Sequence, residues 1–87
     1  MHQPAWDVGD WVFNGPSGIG YCFVVRVDRE RKDWRDWLSD EFYVMNFSTG
    51  TGRLVDAADL RSASRSRPPT DVEQAAFMRY MLTLGGA

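Results

Sequence analysis

Gly18-Ile19-Gly20-Tyr21-Cys22-Phe23-Val24-Val25-Arg26-Val27-Asp28 carries the clearest structural signal in the chain. After Gly20 it contains no breaker, and it is dense in β-branched and aromatic residues, so residues 19–28 read as a strand. Alternation places Ile19, Tyr21, Phe23, Val25 and Val27 on one side, and Cys22, Val24, Arg26 and Asp28 on the other. Shorter stretches flank it. Residues 9–13 form a strand that ends in Asn14-Gly15-Pro16-Ser17-Gly18, where two glycines and a proline dictate a turn. Residues 42–47 form a third strand, Ser48-Thr49-Gly50-Thr51-Gly52 a hairpin turn, and residues 53–56 a fourth strand. Ala57-Ala58-Asp59 suits a single helical turn, and a last short strand lies near Arg61. Residues 29–40 mix both charges around Trp34 and Trp37 and read as a loop or a short helical turn.

With Val12, Tyr21, Phe23, Val25, Met45 and Phe47 filling the interior, Trp11, Phe13, Cys22, Val24, Phe42 and Val44 point outward. A solvent-facing sheet surface alternates apolar with polar, so an outside this apolar requires a cover. The C-terminal stretch supplies one. Residues 62–69 are a polar, basic linker ending in Pro68-Pro69, and residues 70–85 read as a helix. Thr70 and Glu73 have capping-box spacing, and Gly85-Gly86 supplies a stop. Between Ala75 and Leu84 only Arg79 and Thr83 are polar, whereas packing on one surface needs an apolar stripe of roughly 100°. One side of the helix suits the sheet, and the other suits a partner. The expected organisation is a single domain: a barrel over residues 1–61, the linker, and the helix packed on the barrel or on a partner.

Composition excludes several function classes. At 87 residues and 9.9 kDa the chain holds one small core, and 44% hydrophobic with 14% aromatic residues make it globular. A formal net charge of −2 argues against a general polyanion binder. One cysteine forbids an internal disulfide, and Cys22 with His2 is too few for a metal site. No apolar run approaches the roughly 18 residues of a membrane span, and the first thirty residues show no signal pattern. The expectation is a cytoplasmic protein with no cofactor, metal or membrane association.

The short strands, the helical turn before the last one, and Val8-Gly9-Asp10-Trp11-Val12 followed by Gly18-Ile19-Gly20 resemble SH3-like β-barrels, the class that includes Tudor, KOW and CarD-like domains. Within that class Gly9-Asp10-Trp11-Val12, Gly18-Ile19-Gly20, and Tyr43-Val44-Met45-Asn46-Phe47 with Gly50 are similar to the CarD-like RNA-polymerase-interacting domain. The resemblance covers residues 8–61. It implies a mainly β fold, a small antiparallel barrel with a C-terminal helix, and a role as a polymerase- or nucleic-acid-associated domain. The Trp34/Trp37 segment departs from that pattern, and the DNA-contacting domain of full CarD proteins is absent. Type II dihydrofolate reductases are also SH3-like barrels of similar length, acting as tetramers around a pore. Their Val-Gln-Ile-Tyr motif is missing, and Arg53-Leu54-Val55-Asp56 stands in the nearest position.

Catalysis has little to draw on. Cys22 lies mid-strand and reads as a small buried hydrophobe, and His2 is at a terminus. The pairs Asp7/Asp10, Asp33/Asp36 and Asp40/Glu41 sit at strand ends or in a charged loop, where a raised carboxyl pKa has no dry pocket to create it. Gly15-Pro16-Ser17-Gly18-Ile19-Gly20 lacks the helix and lysine of a phosphate loop and reads as a turn. Residues 26–36 hold five basic and four acidic residues, too balanced to drive phosphate binding; Arg61, Arg65 and Arg67 are a cleaner but small basic cluster. Trp34 and Trp37, three residues apart, either cap the barrel or contact a partner.

The function that fits is a small non-enzymatic interaction module, a homodimer or a component of a larger protein complex. Such a module suits an accessory protein of a phage or mobile element. Expected partner-binding residues are Trp34, Trp37, Phe77, Met78, Tyr80, Met81 and Leu84. The alternatives are a nucleic-acid-associated or RNA-polymerase-binding domain and, third, a dihydrofolate-reductase-like enzyme.

Overall fold

Alternating and β-branched segments separated by glycine-rich turns give five strands in the computed structural model, which describes residues 5–32 and 38–85. They are β1 (Trp11–Asn14), β2 (Gly20–Lys32), β3 (Leu38–Asn46), β4 (Thr51–Asp56) and β5 (Leu60–Ser62). A 3-10 turn (Ala57–Asp59) joins β4 to β5, and α1 (Asp71–Gly85) follows. All pairings are antiparallel, in the order β4-β3-β2-β1-β5. The sheet curls into a half-barrel with one C-terminal helix, a mainly β architecture consistent with a small SH3-like barrel. The helix is not long and apolar enough to cross a membrane.

Register, rather than alternation alone, sets which side of each strand faces inward. Val12 stands opposite Cys22, Val24 opposite Val44, and Phe42 opposite Val55, and residues directly opposite share a side of the sheet. The inner core is therefore Val12, Cys22, Val24, Phe42, Val44, Val55 and Leu60, with Trp6, Ile19, Val27 and Ala57 packed at its margin. This reverses the expected orientation of β2 and β3. Tyr21 and Phe23, opposite Phe13 and Trp11, lie on the outer face with Met45, opposite Phe23. Val25 is buried but unpaired, because a β-bulge lies between Val24 and Arg26. Beyond the bulge the parity flips, so Val27 returns to the inner side opposite Phe42.

The charged segment also differs from expectation. Residues 29–32 continue β2 and residues 38–40 begin β3, so the two strands pair as far as Lys32 and Leu38. Residues 33–37, including Trp34 and Trp37, lie outside the described residues, as does His2.

Two glycines are needed where they stand. Gly50 has φ 76° in the β3–β4 turn, a backbone region that L side chains rarely adopt. Gly52 lies under the ring of Tyr43, where a Cβ would come within 2.3 Å of the phenol oxygen.

Candidate partner-binding face

The outer face of the half-barrel is an aromatic layer. Trp11 lies 4.9 Å from Phe23 and 5.8 Å from Tyr21 between ring centroids, and Phe13 sits edge-on to Tyr21 at 5.0 Å. Helix α1 closes over this layer. Phe77 stacks on Phe23 at 4.5 Å, and Tyr80 meets Phe47 edge-on at 5.8 Å. Pairs of this kind contribute about 0.5–1.5 kcal/mol each beyond the area they bury. The helix presents Glu73, Ala76, Phe77, Tyr80 and Met81 to the sheet, all buried or half-buried, at the three- and four-residue spacing of a single stripe.

One polar cluster fixes the start of the helix. The Thr70 hydroxyl accepts from the Glu73 N–H (3.1 Å), and the Glu73 carboxylate accepts from the Thr70 N–H (2.9 Å), completing the capping box. The same carboxylate accepts two hydrogen bonds from Arg67, at 2.9 and 3.0 Å, and one from the Ser48 hydroxyl at 2.9 Å. Glu73 is only 3% exposed. Arg67, helped by Thr70 and Ser48, holds its carboxyl far below the ordinary range, at about 2. The Arg67 guanidinium also lies over Tyr21 and Trp11, 4.6 and 5.1 Å from their centroids. The Trp11 indole N–H donates to the Arg67 carbonyl. The linker is therefore bolted to both helix and sheet.

The far side of α1 is different. Val72, Met78 and Leu82 are 78%, 58% and 71% exposed, and Leu84 is exposed near the end. Met78 also borders a groove of about 360 Å³ between helix and sheet, whose walls include Trp11, Phe23, Pro69 and Phe77. Groove and exposed helix face are thus continuous.

The expected site residues separate accordingly. Phe77 and Tyr80 turn onto the sheet, Met81 is half-buried, Met78 is exposed on the far side, and Leu84 is exposed near the end of the helix. Arg61 and Arg65 are exposed, whereas Arg67 is engaged by Glu73 and the rings. Sequence reasoning passed over Val72, which precedes the apolar run that drew attention. It also passed over Glu73 as a hub, since its capping role concealed the partners supplied by Ser48 and Arg67.

Cys22 is fully buried, and burial pushes its thiol up to about 12 against a small opposing contribution from the Asn14 backbone. A neutral, enclosed thiol is packing material. Among the described residues no group of three His, Cys, Asp or Glu side chains could hold a metal ion. No protein-family model, curated protein or solved structure matches the chain.

Proposed function

We propose that this chain is a small non-enzymatic protein-interaction module that associates with a second copy of itself through the open side of α1. The observation that supports the reading is the exposure of Val72, Met78 and Leu82 on a helix whose opposite stripe is already occupied by the aromatic layer. Exposed apolar area of this kind, next to an apolar groove, is what protein interfaces bury at their centre. A net charge of −2 provides little electrostatic repulsion between copies. The test is sedimentation equilibrium of the intact chain and of a Met78→Glu/Leu82→Glu variant. The expected outcome is a concentration-dependent dimer that becomes monomeric in the variant while circular dichroism stays unchanged. A wild-type chain that remains monomeric at millimolar concentration refutes self-association through this face, as does a variant that still dimerises.

A further inference from the structure

The mouth of the half-barrel, on the other side of the sheet from α1, holds an arginine where the core pattern calls for an apolar residue. Arg53 on β4 stands directly opposite the fully buried Val44, and its neighbour two positions on, Val55, belongs to the inner core. Its side chain therefore springs from the inner side of the sheet. There it borders a cavity of about 270 Å³ whose other walls come from Asn14, the Gly15–Gly18 turn, Val55 and Asp59. That volume lies below the roughly 300–1,000 Å³ typical of pockets for drug-sized molecules, so the natural occupant is small.

The walls are closely packed. Asn14 is buried, with its amide donating to the Asp59 carbonyl (3.1 Å) and its oxygen accepting from the Ile19 N–H (2.9 Å). Gly18 presses so closely on Asn14 that a Cβ would fall 1.9 Å from the amide oxygen, and Gly15 presses likewise on the Phe13 ring. The turn is held in place while its polar groups stay available. The Arg53 guanidinium and the Ser17 hydroxyl have no hydrogen-bond or ion-pair partner among the described residues. The Asp59 carboxylate accepts one long hydrogen bond, 3.4 Å from the Asp56 N–H, and pairs with no cation there.

Arg53 and Asp59, both exposed, line one small cavity with opposite charges and do not pair with each other. A simple anion would meet repulsion from Asp59, and a simple cation would meet repulsion from Arg53. A molecule carrying both charges a few ångströms apart satisfies both. We propose that the mouth of the half-barrel binds a small zwitterion of the α-amino-acid class, its carboxylate on Arg53 and its ammonium on Asp59, with the Ser17 hydroxyl as a further polar contact. An inward charge also guards an edge strand against pairing with other chains, and β4 is an edge strand. That role requires neither Asp59 nor a cavity, so it makes a different forecast.

The test is an amide-resolved NMR titration of the intact chain with glycine, acetate and methylammonium in turn. Glycine should shift the amides of Ser17, Gly18, Arg53 and Asp59 saturably, with millimolar affinity. Acetate and methylammonium should bind at least about tenfold more weakly, a factor worth about 1.4 kcal/mol. Arg53→Gln and Asp59→Asn should each weaken glycine by a similar factor; asparagine retains an acceptor for the Asp56 N–H, so the turn survives. Acetate binding as well as glycine, or tightening in Asp59→Asn, overturns the proposal in favour of a plain anion site. Absence of a saturable shift with glycine on the wild-type chain overturns it outright, whatever the variants do.

Discussion

Replacing Glu73 with glutamine removes one charge from a carboxylate that is almost fully enclosed and accepts hydrogen bonds from Arg67, Thr70 and Ser48. The folded chain holds this carboxyl at about 2 against an ordinary 4.5. At about 1.36 kcal/mol per pH unit that difference corresponds to about 3 kcal/mol. The Arg67 side chain is 37% exposed, so solvent screens part of the attraction and about 2 kcal/mol is the appropriate magnitude. For a domain of this size such a loss lowers Tm by about 8–16 °C. The pH dependence is the sharper signature. A carboxyl whose pKa is depressed by folding stabilises the fold above its unfolded pKa and loses that contribution as pH falls toward the folded value. The wild-type advantage over Glu73→Gln should be complete above about pH 5, more than half gone by about pH 3, and absent below about pH 2. Urea titrations of both proteins followed by circular dichroism, at pH 7, 5, 4 and 3, measure it. A difference under about 0.5 kcal/mol at pH 7, typical of a surface pair, or one that does not change with pH, would refute the reasoning.

The inner core offers a second test: Phe42→Ala, at a fully buried position, should cost about 3–5 kcal/mol in urea denaturation. A cost below about 1 kcal/mol would mean that Phe42 does not fill the half-barrel. Cys22, with its thiol pushed up to about 12, should resist alkylation in the native chain at pH 8 and react readily in denaturant. Rapid native labelling would contradict its burial. Thr70→Ala removes the cap hydroxyl and should destabilise the chain by about 1 kcal/mol, read as a shift in thermal midpoint; no shift would mean the cap is dispensable.

The strands were legible because β-branched and aromatic runs sit between strong breakers, and α1 because Thr70 and Glu73 announce its start. The inward side was not. Both sides of β2 are apolar, so alternation identifies two surfaces without ranking them. Pairing breaks the tie, since a turn that sets Asn14 opposite Gly20 necessarily sets Val12 opposite Cys22. The bulge at Val25 was invisible for a related reason: Val24-Val25-Arg26-Val27 looks equally strand-like in either register. Mixed charge at residues 29–32 and 38–40 concealed strand, because polarity reports solvent rather than backbone geometry. At the helix, the apolar residues were found, yet only the stacking of Phe77 on Phe23 separates those turned onto the sheet from those left outside. The inward placement of Arg53 was not legible, since it depends on the pairing of β4 with β3.

Strand β2 is a party wall between two compartments, and that constrains how the sequence can drift. Cys22 and Val24 answer to Phe42, Val44 and Val55, whereas Tyr21 and Phe23 answer to Trp11, Phe77 and the rest of the aromatic layer. Adjacent residues on one strand therefore belong to separate packing problems, and compensating changes should appear across each compartment rather than between sequence neighbours. The bulge exchanges the two memberships, so inserting or deleting a single residue there would swap the tenants of both rooms at once. Length between Tyr21 and Val27 is accordingly the least negotiable property of the chain, ahead of the identity of any one side chain within it.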